Sequence, residues 1–390
     1  MGAHSANLSW TEGWRTATVP DRGEIPGGGV LTIDLGALAA NYRQLVALAG
    51  GAKVAGVVKA DGYGLGAVPV ARRLAREGCE SFFVAHLAEG LALREALPEA
   101  EILVLNGLAP GAEPACAEAG LVPVLNSLAQ IEAFAREGVR RGRRLPAAIQ
   151  VDSGMSRLGL SPAEVERIAT DPTRLFGLET VLVMSHLACA DTPDHPANAA
   201  QLAAFRRLAA LLPAARRSLA NSAGLFLGPD FRFDLARPGI AVYGGRPFAD
   251  PAPNPMRPVV RLQGRVIQLR DVPAGAGIGY GHTVTAERPM RLATLGLGYA
   301  DGWPRRLGNH IAAHIGETAL PMVGRVSMDS IILDAGAAEL RPGDLVDLIG
   351  PAQSLDAVAE AAETISYEIL TGLGSRFERH YLEDEAGVSA

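Results

Sequence analysis

The sequence predicts an α/β protein: an N-terminal (β/α)8 TIM-type barrel followed by a mainly β C-terminal domain. Three observations predict it. First, eight short apolar runs between residues 53 and 242 alternate with amphipathic stretches. This is the pattern of strands buried on both faces in a parallel sheet covered by helices. Second, eight such repeats over roughly 200 to 250 residues suit a closed barrel better than a doubly wound sheet. Third, polar residues gather at the ends of the runs: Lys59, His86, Asn106, Asn126, Asp152, His186 and Asn221, with Arg237 nearby. Catalytic groups of this barrel sit at the strand C-termini.

Taken in order, residues 1–29 are punctuated by Gly and Pro and read as a flexible arm. They lack a cationic start followed by an apolar run, so no secretory signal is expected. A strand at 30–35 leads into a helix at 37–48, and this strand is free to pack with the C-terminal domain. The barrel strands are expected at 53–59, 81–86, 102–106, 122–126, 147–152, 180–186, 218–221 and 235–242. Helices are expected between them, for example at 68–76, 88–97, 128–141, 162–169 and 197–212. Ser161 followed by Pro162 is an N-cap with proline at the first helical position. The barrel domain is placed at 30–250. Pro251, Pro253, Pro255 and Pro258 then mark a linker-like stretch. Over 251–390, strand-like runs at 259–269, 291–297, 310–315, 320–326, 330–333 and 345–349 are separated by Gly and Pro, and one helix is expected at 354–365.

Composition narrows the function. The chain has 390 residues, 48% hydrophobic and 20% charged, with a net charge of 36 − 42 = −6. No basic block points to nucleic acid, and no apolar run is long enough to span a membrane. Three scattered cysteines, Cys79, Cys116 and Cys189, form no CxxC and suggest a reducing, cytoplasmic setting. No His, Cys or carboxylate spacing suggests a metal.

The most informative stretch is Val57-Val58-Lys59-Ala60-Asp61-Gly62-Tyr63-Gly64-Leu65-Gly66. A lysine closing a buried strand is costly to desolvate, and burial lowers its pKa toward the free amine that forms a Schiff base. Taken alone, Lys59 reads more readily as a solvated strand-end lysine. Likewise His186 alone suits a core histidine, and Asp152-Ser153-Gly154-Met155-Ser156-Arg157 suits an Asx turn. Arg237-Pro238-Gly239-Ile240 offers an arginine before a turn whose N–H groups suit a phosphate. Asn221-Ser222-Ala223-Gly224 offers a hydroxyl and further N–H donors. Residues 275–281, rich in glycine, lack the strand-then-helix context of a dinucleotide site. They read as a loop that closely approaches another surface.

In this order these segments resemble the alanine racemase family, two-domain enzymes dependent on pyridoxal phosphate. Further matches are Met184-Ser185-His186-Leu187-Ala188, Gly279-Tyr280-Gly281, Gly298-Tyr299-Ala300-Asp301-Gly302 and Val323-Gly324-Arg325-Val326-Ser327-Met328-Asp329. The resemblance spans about 30 to 381. It implies that Lys59 carries pyridoxal phosphate and acts as one catalytic base, with Tyr280 as the other. Tyr63, Ser222, Gly239, Ile240 and Tyr367 would bind the phosphate, beside Asn221. His186 would pack near the ring and Arg237 would face its nitrogen. Arg157, Met328 and Tyr299 would serve the substrate, alanine. Tyr280, Tyr299 and Met328 would reach the neighbouring subunit of a head-to-tail homodimer. The product D-alanine would supply peptidoglycan.

Three positions depart from the family pattern. Gln150 stands where many members have a lysine that becomes carbamylated, which leaves the amide oxygen or a bound anion to brace Arg157. Asp61 replaces an asparagine and Leu65 a histidine. Alternatives are a racemase of another small amino acid, such as serine, or a non-catalytic pyridoxal-phosphate homeostasis protein built on the barrel alone. A basic-amino-acid decarboxylase would call for an acid, not Arg237, at the ring nitrogen.

Overall fold

The computed structural model describes residues 27–249 and 253–383. The expected arm therefore lies, up to residue 26, outside the described residues, as do positions 250–252 of the linker. By its contacts the chain divides into two units. One is formed by residues 39–242 and the segment 247–254, the other by the remainder.

The first unit is a parallel barrel. Seven strands pair in sequence order: Gly56–Val57, Ser81–Val84, Glu101–Val104, Val122–Leu125, Leu145–Gln150, Leu178–Met184 and Arg216–Ser218. Helices Ala67–Arg76, Leu87–Ala96, Glu113–Glu118, Leu128–Arg140, Pro162–Thr170 and Pro196–Ala209 fall between them. The expected strand at 53–59 is broken at Ala55 because it changes partner. Lys53–Val54 pairs with Leu235–Ala236, while Gly56–Val57 pairs with Phe82 and Phe83. Asp234 and Arg237 in turn donate their N–H groups to the carbonyls of Arg217 and Ala220, at 3.0 and 2.9 Å, which closes the ring. Ser81–Val84 and Val122–Leu125 are buried at every position, as strands inside a helical shell must be.

Two strands are shorter than their apolar runs. The one expected at 235–242 ends at Ala236. Pro238 has no N–H for the ladder, and Gly239 gives its own to the Ser222 hydroxyl at 2.9 Å. The one expected at 218–221 lies at Arg216–Ser218 instead, so Asn221 and Ser222 fall in the loop beyond it.

In the second unit the long strand Val260–Val272 organises an eight-stranded sheet. Its first half pairs with Gly29–Asp34 and Leu345–Ile349, its second half with Met290–Leu295. A bulge between Val266 and Gln268 separates the halves. Gly29–Asp34 also pairs, in parallel, with Glu378–Leu382. The strand at the start of the chain is thus part of the C-terminal sheet. The single helix expected at 354–365 is two, Leu355–Ala361 and Ser366–Gly372. Glu363 turns left-handed between them at φ 56°.

Candidate active site

Lys59 follows the strand Gly56–Val57 after one residue, Val58, and the backbone then makes a left-handed turn. Ala60, Asp61, Gly62 and Tyr63 have φ of 53°, 51°, 61° and 56°. Asp61 Oδ1 accepts the N–H of Ala67 at 2.8 Å and so holds the start of the next helix. An asparagine oxygen can accept the same bond, so this departure leaves the turn intact. Leu65 is fully buried and fills core. Tyr63, itself buried, rests its hydroxyl against Gly239: a Cβ built on Gly239 would lie 2.0 Å from Tyr63 Oη. Any side chain at this position would have to displace the Tyr63 hydroxyl.

Arg237 is buried with no carboxylate. One guanidinium nitrogen donates to the Ser218 hydroxyl, and the other to the Ser185 carbonyl at 2.7 Å, with His186 Nδ1 at 3.5 Å. Its carbon lies 5.8 Å from the Phe83 ring centroid. Burial pulls its pKa down to about 9, which leaves a cation at neutral pH. His186 is pushed down to about 3, first by burial, then by the positive charges of Arg237, Arg157 and Lys59. Its imidazole is neutral. Lys59 is likewise held below the ordinary lysine range, by burial and then by Arg157, against the opposing charge of Glu89.

Arg157 itself is exposed, beyond a turn in which Asp152 accepts the N–H groups of Gly154, Met155 and Ser156. Burial raises the Asp152 pKa, but these bonds outweigh it and the carboxyl stays below its usual value. Gln150 is buried at the end of its strand, and no hydrogen bond of the described residues joins its amide to Arg157. Ser222 Oγ accepts from Gly239 and Ala241 N–H, at 2.9 and 3.3 Å, and Asn221 Oδ1 accepts from Gly224 N–H at 2.9 Å. Ile240 is fully buried within the same turn. The basic side chains Arg237, Arg157 and Lys59 thus surround one neutral imidazole electrostatically, beside a hydroxyl- and amide-lined turn. That donor set fits an aromatic ligand bearing a phosphate.

The remaining expected residues lie in the second unit. Tyr280 lies in a loop, and two short strands flank it. Gly277–Ile278 pairs with Val284–Thr285 in a hairpin, and Tyr280 sits at its tip between Gly279 and Gly281, both left-handed. Gly298 packs against the carbonyls of Ser327 and Met328, where any Cβ would collide at 2.2 and 2.6 Å. The Tyr299 N–H donates to the Ser327 carbonyl at 3.0 Å. Arg376 binds Asp301 through two nitrogens, at 2.6 and 2.8 Å, and Asp329 at 2.8 Å. This ties the Tyr299 turn to the Met328 turn. Tyr367 lies in the first turn of Ser366–Gly372, and Gly302 contacts the carbonyl at the end of that helix.

A family model for the alanine racemase N-terminal domain matches residues 33–247, and one for the C-terminal domain matches 259–381. The chain belongs to the alanine racemase family. It is 58% identical over 363 residues to a catabolic alanine racemase of Mesorhizobium japonicum, covering 92% of this chain and 94% of that one. It is 49% identical over 357 residues to an alanine racemase of Rhodospirillum rubrum, covering 90% and 95%. A crystal structure of alanine racemase from Bartonella henselae with covalently bound pyridoxal phosphate superposes with a TM-score of 0.87 at 44% identity, covering 92% of this chain and all of that one. The enzyme from a D-cycloserine-producing Streptomyces lavendulae gives 0.88 at 32% identity, covering 92% and 98%.

As a member of the alanine racemase family the protein is an isomerase that uses pyridoxal phosphate. The match to the C-terminal domain removes the barrel-only homeostasis reading. Sequence reasoning missed the partners that hold Arg237, namely Ser185, Ser218 and Phe83, and it missed Glu89. Phe83, Ser218 and Glu89 lie inside a strand or helix and Ser185 lies just past a strand end, with nothing local to mark any of them as a partner of these groups. Among the described residues no cluster of His, Cys, Asp or Glu suits a metal, and no helix is long and apolar enough to cross a membrane.

Proposed function

We propose that the protein interconverts L- and D-alanine, with Lys59 of one subunit and Tyr280 of its partner acting from opposite faces of the substrate. Bound at Lys59, pyridoxal phosphate would supply an electron-withdrawing ring that acidifies the α-carbon proton. Lys59 Nζ takes or returns that proton on one face, and the depressed pKa of its amine supports the role. Tyr280 Oη serves the other face. Arg237, a cation at neutral pH, faces the ring nitrogen and keeps it unprotonated. The weaker electron demand favours simple proton exchange over transamination and decarboxylation. Neutral His186 packs near the ring. Tyr63, Ser222, the N–H groups of Gly239 and Ile240, and Tyr367 hold the phosphate, with Asn221 shaping that turn. Arg157 and the Met328 N–H hold the substrate carboxylate, and Tyr299 lines its approach.

The observation that carries this reading is the buried Arg237, which donates to the Ser218 hydroxyl and the Ser185 carbonyl with His186 Nδ1 at 3.5 Å. The assembly is a head-to-tail homodimer in the cytoplasm. Free Cys79 and Cys116, both buried, suit a reducing compartment. The test is chiral chromatography after incubating cofactor-loaded protein with L-alanine and, separately, L-serine. An equal mixture of alanine enantiomers is expected, and turnover of serine alone would refute the substrate assignment. The absorbance band of the bound cofactor should disappear on borohydride treatment.

A second reading concerns the direction of use in the cell. Supply of D-alanine to peptidoglycan predicts that deletion creates a D-alanine requirement. Relatives 58% and 54% identical are named catabolic. That favours degradation of alanine, in which case deletion would abolish growth on it as carbon source without any D-alanine requirement.

A further inference from the structure

Glu89 lies in the first turn of the helix Leu87–Ala96. Its Oε1 accepts the N–H of Ala60 at 2.7 Å, and its Oε2 those of Ala85 and His86 at 2.7 and 3.0 Å. One carboxylate therefore joins the residue just after Lys59 to the end of the neighbouring strand. What it holds is unfavourable by itself. Ala60, Asp61 and Tyr63 carry side chains in the left-handed region, in a run of four residues. For such residues the Cβ crowds the following carbonyl, and the conformation ordinarily occurs singly. Backbone bonds link the turn to itself, Gly62 N–H to the Val58 carbonyl at 2.9 Å, Gly64 N–H to the Ala60 carbonyl at 2.8 Å, Leu65 N–H to the Gly62 carbonyl at 3.1 Å and Gly66 N–H to the Asp61 carbonyl at 2.8 Å, whereas the bond from Ala60 N–H to Glu89 ties its start to the neighbouring helix. This one turn sets the directions of both Lys59 and Tyr63, whose hydroxyl meets Gly239.

We propose that Glu89 is a positioning residue whose carboxylate locks the left-handed turn and so aligns Lys59 and Tyr63 for the cofactor. The proposal rests on the reading above for the identity of that cofactor. A glutamine offers one acceptor oxygen for three N–H groups and turns donor hydrogens toward the rest. Ala60 is exposed, so removing its methyl group sacrifices no packing. Glycine at position 60 enters the left-handed region without the side-chain penalty.

The test compares Glu89→Gln, Ala60→Gly and the double variant in the full chain. Pyridoxal-phosphate binding to stripped protein, hydrogen exchange at the Ala60 amide and melting temperature are measured alongside alanine racemisation. Glu89→Gln should weaken cofactor binding about tenfold, the order of factor that one left-handed side-chain residue represents. The Ala60 amide should exchange faster while melting changes little, and Ala60→Gly should restore most of the lost affinity in the double variant. Should Glu89→Gln not fold, Glu89→Asp, too short to span both N–H sets, takes its place with the same expectations. Wild-type cofactor affinity in the Glu89 variant, or no recovery in the double variant, would overturn the proposal. Wild-type protein that binds the cofactor but leaves alanine unchanged would instead refute the activity reading alone.

Discussion

Lys59, Tyr63, Ser222 and Arg237 are held in the barrel unit by their own neighbours, whereas the C-terminal unit leaves three tyrosines and a methionine exposed. Tyr280, Met328, Tyr299 and Tyr367 are 71%, 53%, 42% and 40% exposed, respectively. Yet the backbone beneath them is braced. Arg376 bridges Asp301 and Asp329, and hydrogen bonds to both, Asp301 first, raise its pKa. Exposure here marks side chains that lack a cover, not loops that lack support. Tyr and Met are the residue types enriched where one protein surface meets another. The barrel half thus buries its expected site residues, and the C-terminal half leaves its own exposed on a braced backbone.

The largest effect should come from the barrel half. Lys59→Ala should lower racemisation by at least about a thousandfold, within the range for loss of a positioned acid–base group. It should also remove the borohydride-sensitive absorbance band. Tyr280→Phe should lower racemisation by about a hundredfold or more while leaving that band in place, since an exposed residue of the other unit does not hold the cofactor covalently. Isotope exchange at the α-carbon should then survive with retention on the Lys59 face. Full racemisation in both directions by this variant would break the comparison.

Smaller effects sharpen it. Gly239→Ala drives a methyl group into Tyr63 Oη, and overpacking of this kind costs about 1–3 kcal/mol. Denaturant titration should show that loss, together with weaker cofactor binding. His186 governs the pH dependence. Its pKa is about 3 in the folded chain and about 6.5 when unfolded. The unfolded chain therefore binds the extra proton between these values. The histidine's contribution to stability is intact above about pH 6.5 and is lost progressively as pH falls toward 3. His186→Asn should flatten that part of the curve of stability against pH, and an unchanged slope would contradict the neutral imidazole.

The same contrast explains what the sequence made legible. Strand ends could be read because apolar runs buried on both faces stop where a polar residue begins, as at Val58-Lys59 and Ser185-His186. The left-handed turn after Lys59 could not. Its glycines signalled a turn, but three of its four left-handed residues are not glycine, and the carboxylate of Glu89 that accepts the turn's first N–H lies 29 residues from Ala60. The acceptors of Arg237 lie 19 and 52 residues away on other strands, so its burial without a carboxylate left no local trace. Near Tyr280 the glycines suggested a loop, because two-residue strands are too short to show alternation. At 354–365 the apolar spacing runs through Glu363, whose positive φ has no glycine to announce it.

The most direct measurement mixes two inactive variants. Lys59→Ala and Tyr280→Phe chains are dissociated together, reassociated and assayed for alanine racemisation. If each site takes its lysine from one subunit and its tyrosine from the other, half of a random mixture is mixed dimer with one intact site. Activity should then return to about a quarter of wild type, by the arithmetic of a two-fold dimer. If both residues act within a single chain, every site in the mixture carries a defect and no activity returns.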